Sequence, residues 1–509
     1  MDAVQYLDNF SEKENTMPNQ NLDAFFDTMR LQGLMLTYDD VRLKTDYSTI
    51  LPAQANLESL FSRRITLRIP IISSAMDTVT EARMAIAMGE LGGLGVIHKN
   101  MDPKKQAWQV TRVKHHLNGK VNKPITVRPE DSLAQIRTLC EEKRYNFESF
   151  PVVGDDGLIV GILTGKDFNF AESLQITVRE AMTSIEGGLT GNSKTTPDEA
   201  MVVMRGHKKN VMPLLEDGSV VGMYIFSDLL RIKSGQSLHN VDSEGHLIAA
   251  AAVGAGPEAL LRAEHLAEAR CDVFVIDTAH GDSANVHKTL KDLKTKFPDV
   301  DIVAGNVSRG EAVKRLIDAG ADGILVGQGP GSICTTRIVA GVGTPQVSAV
   351  YECAQAAQNS DVPICADGGI QHPGDIAVAF AIGASSVMLG SVLAGTDKSP
   401  GEIVQQGDRQ MKQYRGMGSL GAMRDRSESR VRYGQDGVAL DKLVPEGIEG
   451  LVPYKGPLSG VLNQNVGGIR ASMAYLGAST LEEFRAKAEL FRITNAGLRE
   501  SHPHDITTT

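Results

Sequence analysis

The sequence predicts an α/β protein built on a closed (β/α)8 (TIM) barrel, with a second module inserted into the barrel. Eight short apolar runs, each nearly continuous in Val, Ile, Leu and Ala, are typical of parallel strands buried on both faces. Amphipathic stretches such as residues 257–270 and 309–321 lie between them and have the period of helices. Eight strands with intervening helices are the number that a closed barrel needs. The runs occupy residues 69–77, 92–98, 246–254, 272–281, 301–307, 322–331, 363–370 and 385–391.

Polar residues or glycines follow nearly every apolar run. They are Asp77, His98, Asp277, Asn306, Gly327, Asp367 and Gly390. In a (β/α)8 barrel the loops after the strands share one face, and active sites form there. An open doubly wound sheet is the alternative, but it does not easily use eight parallel strands that end in this way. The pattern therefore favours the barrel and predicts a site at the C-terminal ends of its strands.

Residues 115–235 interrupt the barrel pattern with an internal repeat. Pro151, Gly157, Gly161 and Asp167 of the first copy match Pro213, Gly218, Gly222 and Asp228 of the second. Each copy is predicted to form a helix, two strands joined by a Gly-containing turn, and a second helix opened by an acidic residue. The insert resembles a tandem pair of CBS domains (a Bateman module), with the first copy at about 121–175 and the second at about 179–235.

The remaining boundaries follow from these two modules. The barrel is expected in two parts, residues 31–114 and 236–509. Residues 1–30 are polar and are expected to form a poorly ordered arm or a surface helix. Residues 424–442 have no apolar period, which predicts a long mobile loop inside a flap at about 419–450.

Composition and charge narrow the possible functions. The 509 residues carry a net charge of −10, which argues against a broad surface for nucleic acid or anionic membrane. With 42% hydrophobic and 22% charged residues, the chain is expected to be globular and soluble. No apolar run is long enough to span a membrane, and the polar N-terminus is unlike a signal peptide. The five cysteines include no CxxC pair, so neither a disulfide framework nor a zinc site is expected. Their pattern is typical of a protein in a reducing compartment, and we expect a cytoplasmic location.

The strongest chemical signal is the segment VGQGPGSICTTR at residues 326–337. A Gly-rich loop after a buried strand can turn sharply and present backbone carbonyl and N–H groups. Cys334 on such a loop is predicted to be a reactive thiol, although free cysteines are more often small buried hydrophobes. Its polar neighbours favour the reactive interpretation: Ser332, Thr335, Thr336 and Arg337. The other cysteines lie in apolar patterns and are expected to be inert: Cys140, Cys271, Cys353 and Cys365.

Two further Gly-containing loops, CADGGI at 365–370 and MLGS at 388–391, follow late strands, where barrels commonly bind phosphate through backbone N–H groups. Either loop alone is more simply a turn. Together with Ser332 and the segment YRGMGS at 414–419, they indicate a nucleotide monophosphate, with Asp367 accepting hydrogen bonds from sugar hydroxyls. Arg432 and Tyr433 stand side by side in the flap, where a solvated basic stretch is an equally good interpretation.

Ten segments in order resemble the IMP dehydrogenase family in its bacterial form, from about residue 34 to 506. They are SSAMDTVTE (73–81), GGLGVIHKNM (92–101), VIDTAHG (275–281), AGNV (304–307), GPGSICTTR (329–337), ADGGI (366–370), MLGS (388–391), YRGMGS (414–419), EGIEG (446–450) and ESHPHD (500–505). The resemblance implies the NAD-dependent oxidation of IMP to XMP, the first committed step of guanine nucleotide synthesis. Cys334 would attack the purine C2 and form a covalent thioimidate after hydride transfer. Arg432, Tyr433 and Thr336 would then activate and position the hydrolytic water.

The same resemblance implies the binding residues. The nucleotide would contact Ser74, Met76, Ser332, Asp367, Gly368, Gly369, Gly390, Ser391, Tyr414, Arg415, Gly416, Met417, Gly418 and Glu446. NAD would contact Asp277, Thr278, Ala279, Asn306, Gly327, Gln328 and Gly329. A K⁺ ion would bind carbonyls of Gly329, Gly331 and Cys334, with Glu500, Ser501 and His502 supplied by a neighbouring subunit. The family implies a homotetramer, with octamers when purine nucleotides such as ATP or GTP bind the CBS pair.

The chain departs from the family pattern at three positions. Leu325 stands where a basic residue is usual, and Gln328 stands where an aliphatic residue or Met is usual, so details of the NAD side differ. In the first CBS copy, Thr164 and Asp167 fit the ribose-binding pattern. In the second copy Asp228 remains, but Ile225 replaces the hydroxyl residue, so at least one regulatory nucleotide site is expected to be weakened.

Two alternative functions remain. GMP reductase shares the barrel, the Cys loop and Thr336, but runs the opposite redox reaction with NADPH. The YRGMGS segment and the adjacent Arg432 and Tyr433 favour the dehydrogenase. A nucleotide-sensing protein with a degenerate barrel is the second alternative, and the presence of Cys334 and Thr336 argues against it.

Overall fold

The computed structural model describes residues 19–117, 120–121, 124–143, 149–186, 188–235 and 238–503. These residues form two compact units. The first comprises the described parts of residues 1–114, 238–241 and 247–509, and the second comprises those of residues 115–237 and 242–246.

Eight parallel strands form the centre of the first unit and close into a barrel, as the sequence predicted. They are β1 (Ile71–Ser73), β2 (Leu94–Ile97), β3 (Ala250–Val253), β4 (Val273–Asp277), β5 (Asp301–Val307), β6 (Gly323–Val326), β7 (Ile364–Asp367) and β8 (Ser386–Leu389). Each strand pairs with the next along the chain, and β8 pairs with β1 to close the ring. Every strand lies inside one of the eight apolar runs, because only apolar side chains can fill both faces of a barrel wall.

A helix follows each strand and covers the barrel from outside. The helices are α1 (Ala82–Glu90), α2 (Pro103–Lys114), α3 (Pro257–Glu268), α4 (Ala284–Lys296), α5 (Gly310–Asp318), α6 (Gln346–Ala357), α7 (Pro373–Ala381) and α8 (Leu458–Tyr475). Three of them begin at Pro, whose missing N–H is harmless in the first turn of a helix. Within the described chain, no helix combines the length and the apolar character that crossing a membrane would require.

The barrel interior is filled by alternate residues of the strands. Val275, Val303, Leu325, Cys365 and Met388 belong to one buried cluster. Leu325, the first departure from the family pattern, is 1% exposed and packs in this interior. An aliphatic side chain suits that position, because an unpaired charge would be costly there.

Smaller elements surround the barrel in the first unit. The strands are Val41–Leu43, Ser59–Leu60, Thr66–Leu67, Ile403–Gln406, Arg409–Arg415, Glu449–Pro453 and Leu490–Arg492. The helices and 3-10 turns are Gln20–Leu31, Tyr38–Asp40, Pro52–Gln54, Thr336–Val339, Ser391–Ala394, Leu420–Asp425, Ser427–Arg432, Leu481–Lys487 and Asn495–Glu500. Strands Ile403–Gln406 and Glu449–Pro453 both pair with Arg409–Arg415, which makes a three-stranded antiparallel sheet.

The described part of the N-terminal arm is a surface helix with one buried face. In helix Gln20–Leu31, Leu22, Phe26 and Met29 are buried at i, i+4 and i+7 spacing. The ring of Phe26 stacks on Tyr351 of α6, with centroids 3.7 Å apart. Residues 1–18 of the predicted arm lie outside the described residues.

The flap departs from the sequence prediction. Residues 424–442 were expected to form an irregular loop, but the structure contains two short helices, Leu420–Asp425 and Ser427–Arg432. Ser419 caps the first helix by accepting a hydrogen bond from the Ala422 N–H. The second helix contacts the barrel mainly through polar side chains, so it has no apolar stripe for a periodicity argument to detect.

The second unit contains two copies of helix, strand, strand and helix, as the repeat predicted. The first copy has Leu133–Lys143, Phe150–Val153, Ile159–Leu163 and Gly165–Phe170, and the second has Pro197–Gly206, Val211–Glu216, Ser219–Ile225 and Phe226–Gly235. The remaining elements are Lys120–Val121, Val178–Ala181, Thr183–Ser184 and Gly191–Asn192. The matched Gly157 and Gly218 have φ of 79° and 81°, a conformation that favours glycine in each hairpin turn.

Candidate active site

A cavity of about 1110 Å³ opens where the barrel strands end. Its wall is built from the loops that follow β1, β4, β5, β6, β7 and β8, with the flap and the 414–417 segment on the other side. Polar backbone groups dominate such strand ends because the β-ladder stops there, which leaves N–H and C=O groups free to bind a ligand. The cavity therefore lies on the face that the polar strand ends predicted.

Most of the predicted site residues line this cavity. From the proposed catalytic set it contains Cys334, Thr336, Arg432 and Tyr433. From the proposed nucleotide-binding set it contains Ser74, Met76, Ser332, Asp367, Gly368, Gly369, Gly390, Ser391, Tyr414, Gly416, Met417 and Glu446. From the proposed cofactor-binding set it contains Asp277, Thr278, Ala279, Asn306, Gly327, Gln328 and Gly329. Gly331 of the proposed cation site also lines it.

Some predicted site residues do not line the cavity. The Arg415 guanidinium is bound to the carboxylates of Asp77, at 2.7 Å, and Asp425, at 2.8 Å. Gly418 lies behind the ring of Tyr433, where a Cβ would approach ring atoms to 2.6 Å. Glu500, Ser501 and His502 are exposed at the end of helix Asn495–Glu500, and the His502 ring centroid is 5.9 Å from that of His372.

Cys334 lies on a loop that is fixed at both ends by backbone hydrogen bonds. The Cys334 N–H donates to the Gly331 carbonyl at 3.0 Å, which tightens the turn. The neighbouring N–H of Thr335 donates to the Glu446 carbonyl at 3.0 Å, so the loop is tied to a segment more than one hundred residues away. The Cys334 thiol is partly exposed and lies 3.2 Å from Thr336 Oγ1, to which it donates. The thiol is thus accessible and oriented.

The other cysteines differ from Cys334 in burial. Cys271, Cys353 and Cys365 are buried, and desolvation raises the pKa of each thiol far above its usual value. Cys140 is partly buried and packs against an apolar cluster of the second unit. Exposure on a polar loop therefore distinguishes Cys334 as the candidate nucleophile.

The flap places Arg432 and Tyr433 over the cavity. The Arg432 guanidinium forms an ion pair with the carboxylate of Asp277, the last residue of β4. The Arg432 carbonyl also accepts a hydrogen bond from the Ala279 N–H at 3.4 Å. Burial raises the pKa of the adjacent Tyr433 hydroxyl. In this conformation Arg432 of the flap binds the Asp277 carboxylate, which the sequence analysis expected to contact NAD.

Asp367, at the end of β7, has an unusual environment for a carboxylate. Burial raises its pKa to about 6, and the hydrogen bond that it accepts from Asn306 Nδ2 at 2.8 Å opposes the shift. A carboxylate in this position can accept hydrogen bonds from hydroxyl groups that enter the cavity. Its position fits the sugar-binding role that the sequence predicted.

Gln328, another departure from the family pattern, joins neighbouring loops of the cavity. Its Oε1 accepts a hydrogen bond from Ser308 Oγ at 2.7 Å, and its Nε2 donates to the Ala279 carbonyl at 3.2 Å. An aliphatic side chain could make neither bond. The amide therefore provides a polar brace beneath the loop that follows β4.

Two lysines near the site were missed by the sequence interpretation: Lys99, which is buried, and Lys455, which is exposed. Lys99 Nζ donates to the Asp277 carbonyl at 2.5 Å, and burial followed by repulsion from Arg432 holds the pKa of Lys99 well below its usual range. Lys455 Nζ donates to the carbonyls of Ser391 and Val392 at 3.2 and 3.0 Å, beside the loop predicted to bind phosphate. Lys99 stands in the quoted segment GGLGVIHKNM, but no local signal indicates that its ammonium is buried.

The predicted regulatory residues lie in the second unit. Asp167 Oδ2 accepts hydrogen bonds from the Thr164 N–H at 2.7 Å and from Thr164 Oγ1 at 2.9 Å, which caps helix Gly165–Phe170. Asp228 occupies the matching first turn of helix Phe226–Gly235, directly after the strand that ends at Ile225. Ile225 stands where the first copy has Thr164, and the hydroxyl that the structure shows at Asp228 is that of Ser227, whose Oγ donates to Asp228 Oδ1 at 3.4 Å.

Among the residues that the structure describes, no group of three or more His, Cys, Asp and Glu side chains is arranged to hold a metal ion. A cation near Cys334 would therefore depend on backbone carbonyls, which are hard oxygen ligands. The 329–334 loop is rich in such groups, and a Cβ on Gly329 would approach the side chain of Arg337 to 2.6 Å. This tight loop is compatible with a carbonyl-lined cation site.

Comparison with known proteins agrees with this geometry. The family model described as "IMP dehydrogenase / GMP reductase domain" matches residues 35–504. The inosine-5'-monophosphate dehydrogenase of Aquifex aeolicus is 47% identical over 477 residues, covering 93% of this chain and 96% of that relative. The enzyme of the same name from Helicobacter pylori is 46% identical over 483 residues, covering 94% of this chain and 98% of the relative.

Solved structures with the same fold include a GMP reductase variant from Trypanosoma brucei in complex with guanosine 5'-monophosphate. It superposes with a TM-score of 0.85 at 36% identity and covers 93% of this chain and 98% of that one. A structure of the T. brucei reductase with guanosine 5'-triphosphate gives a TM-score of 0.77 at 32% identity. A family model that spans most of the chain, relatives of nearly full length and the strand-end cavity with Cys334 lead to one conclusion: the chain belongs to the IMP dehydrogenase / GMP reductase family.

Proposed function

We propose that the chain is an NAD-dependent oxidoreductase that converts IMP to XMP through a covalent intermediate on Cys334. The proposal rests on one observation: the accessible Cys334 thiol and the flap residues Arg432 and Tyr433 line the same cavity. A thiol can form a covalent adduct, and a flap that carries a basic group can close over that adduct. The relatives at 46–47% identity, which are named inosine-5'-monophosphate dehydrogenase, support the same assignment.

In the first half of the reaction, the Cys334 sulfur adds to C2 of the purine, the π bond between C2 and the ring nitrogen breaks, and that nitrogen takes the thiol proton, which is released when the C=N bond forms again. The C2 hydrogen then leaves as a hydride, so the purine is oxidised and remains attached as a thioimidate. Bound NAD⁺ supplies the hydride acceptor. Thr336 Oγ1, 3.2 Å from the sulfur, accepts the thiol hydrogen bond and orients the nucleophile; the same hydroxyl would position the hydrolytic water in the second half of the reaction.

In the second half, a water oxygen adds to C2, the C–S bond breaks, and the sulfur regains a proton. The group that takes the proton from the water is Arg432, assisted by Tyr433. An arginine is an unusual base because its ordinary pKa is very high. In the closed flap Tyr433 packs against Gly418, and Arg432 is held over the cavity by Asp277, so both flap residues are positioned beside the adduct.

The nucleotide is held by the loops of the strand ends. Asp367 accepts hydrogen bonds from the ribose hydroxyls, and the backbone N–H groups of Gly369, Gly390 and Ser391 bind the phosphate. Lys455 supports the phosphate loop by binding the Ser391 and Val392 carbonyls. The segment from Tyr414 to Met417 covers the base together with Glu446, while Arg415 and Gly418 support that segment from behind.

The Asp277 carboxylate can bind Arg432 and the NAD ribose in turn. In the closed flap its carboxylate pairs with Arg432, and with the flap open it is available for ribose hydroxyls of NAD. Thr278, Ala279 and Gln328 line the same side of the cavity. A K⁺ ion at the carbonyls of Gly329, Gly331 and Cys334 would keep the cysteine loop rigid, with residues 500–502 of a neighbouring subunit completing the site.

The second candidate function is GMP reduction with NADPH, which is favoured by the solved structures of T. brucei GMP reductase at 36% identity. Two observations favour the dehydrogenase. The curated relatives with higher identity carry that name, and the flap brings Arg432 and Tyr433 to the cavity, as the hydrolysis of a thioimidate requires.

The deciding experiment incubates the purified chain with IMP and NAD⁺, with and without K⁺, and measures NADH absorbance. We expect NADH and XMP to form in equal amounts and faster with K⁺, and Cys334→Ser to abolish both products. NADPH oxidation with GMP, in the absence of any NADH formation with IMP, would establish the reductase instead. Turnover by Cys334→Ser would exclude the covalent route.

The CBS pair is proposed to bind regulatory purine nucleotides such as ATP or GTP through Thr164 and Asp167, with a weaker site at Asp228. The chain is proposed to assemble as a homotetramer that can pair into an octamer. Sedimentation of the full chain with and without ATP or GTP tests both points. We expect a tetramer alone and a larger species with nucleotide, and Asp167→Ala is expected to reduce the shift more than Asp228→Ala.

A further inference from the structure

The second flap helix, Ser427–Arg432, is attached to the barrel by a pair of charged side chains outside the cavity. Glu428 Oε1 lies 2.9 Å from Arg262 Nη2, on the outer helix α3. The side chains of Glu428 and Arg262 are 19% and 7% exposed. This pair is therefore largely removed from water, unlike most of the ion pairs on the barrel surface.

Arg262 is fixed by the barrel independently of the flap. Its Nη1 donates to Gln106 Oε1 of α2 at 2.9 Å, and its Nη2 donates to the Met101 carbonyl at 3.0 Å. Gln106 is itself bound to the Ala252 carbonyl of β3 at 2.8 Å. The guanidinium therefore points toward the flap from a rigid base, and the Glu428 carboxylate is the flap's contribution to the pair.

The position of Glu428 determines the position of Arg432. The two residues are four apart in one helix, so their side chains project from neighbouring points on the same side. Between them, Ser429 Oγ bonds to Asn100 Oδ1 at 3.2 Å, which fixes the helix rotation. With Glu428 on Arg262, the helix places Arg432 on Asp277.

We propose that Glu428 and Arg262 form a latch that holds the flap helix closed and positions Arg432 for hydrolysis. This inference rests on the proposed function. Neither residue lines the cavity, so both are positioning residues. When the flap lifts, water can solvate both charges. When it closes, each charge needs the other, because burying one of them alone is costly.

The test uses the full-length enzyme and the variants Glu428→Gln, Arg262→Gln and the double variant. The first readout is the NADH formed on rapid mixing with IMP and NAD⁺, separated into an initial burst and a steady rate. We expect each single variant to retain the burst and to lose about 10- to 100-fold in steady rate. The loss stays below the full cost of an unpaired buried charge, because Gln106 and Met101 still bind Arg262 in Glu428→Gln, and the Glu428 carboxylate is 19% exposed to water in Arg262→Gln. The double variant should lose no more than the worse of the two single variants, because both changes remove the same contact and neither charge is then left unpaired.

The second readout is limited trypsin digestion at the flap arginines. The single variants should be cut faster than wild type in the presence of XMP, because their flaps spend less time closed. Glu489→Gln is the matched control. It removes the same charge from an exposed pair with Lys44, 2.9 Å apart, and should change neither readout.

Three results would overturn the latch. Losses that add in the double variant would show that the residues do not act as a pair. Disappearance of the burst would show that they act before hydrolysis or that the site has unfolded. Trypsin cleavage equal to wild type would show that the pair does not control closure. If wild type formed no NADH from IMP, the proposed function would fail, whereas ligand-free trypsin digestion would still report on the latch.

Discussion

Replacement of Arg432 by Ala tests the division of the reaction into two halves. The Arg432 side chain is 16% exposed and pairs with Asp277, which is 8% exposed. Its removal eliminates the proposed base and also leaves the Asp277 carboxylate unpaired beneath the closed flap. A positioned general base contributes about 10²- to 10⁴-fold to a rate, which corresponds to about 3–5 kcal/mol of barrier. We expect the steady rate to fall within or above that range.

Hydride transfer should survive the same change, because Cys334 and Thr336 remain in place. Rapid mixing with IMP and NAD⁺ should give a burst of about one NADH per site, as expected when a covalent intermediate accumulates. Denaturation at the end of the burst should trap the purine on Cys334, and this adduct can be detected as a mass increase.

Arg430→Ala is the matched control, because Arg430 lies in the same flap helix and donates to the Met423 carbonyl away from the cavity. It should reduce the rate far less. Loss of the burst in Arg432→Ala would show that Arg432 acts before or during hydride transfer. An unchanged steady rate would refute its role as the base.

Three further predictions follow from single positions. Burial raises the pKa of Asp367 to about 6, so its ionised, hydrogen-bond-accepting form is lost as the pH falls through that value, and the KM for IMP should rise below about pH 6. Asp367→Asn should raise the KM about tenfold at pH 8 and make it independent of pH. If this variant kept the wild-type pH profile, the titration would belong to another group. Phe274 is completely buried, so Phe274→Ala should lower the free energy of unfolding by about 3–5 kcal/mol in urea titration, and a loss below about 1 kcal/mol would mean that the barrel wall is loosely packed there. A Cβ on Gly418 would approach the Tyr433 ring to 2.6 Å, so Gly418→Ala should displace that ring and slow steady turnover while retaining the NADH burst, and wild-type turnover would show that the ring can shift without cost.

The sequence predicted the barrel because burial on both faces leaves a direct record in composition. Each strand from β1 to β8 requires a nearly continuous apolar run, and each run ends where the chain reaches the polar cavity face. The flap helix has no comparable apolar run. Helix Ser427–Arg432 packs on the barrel through Glu428 and Ser429, and a polar interface of this kind has no hydrophobic period.

The candidate site was predictable to the extent that its residues stand in local motifs. Cys334 and Asp367 follow directly from Gly-containing loops at strand ends. Lys99 and Arg262 could not be recognised in this way, because a lysine or arginine in a helix or loop is usually solvated. Their burial depends on partners that are distant in the chain, such as Asp277 for Lys99.

The barrel, the repeat and the thiol at the centre of the site could be predicted from local sequence, because each depends on the chemistry of neighbouring residues along the chain. Three contacts could be seen only in the folded structure: the ion pair of Arg432 with Asp277, the hydrogen bond from the cysteine loop to Glu446, and the ion pair of Arg262 with Glu428. These contacts join segments more than one hundred residues apart. Local sequence patterns specify where apolar strands and helix faces will be buried, but only the folded barrel brings particular distant charges within bonding distance.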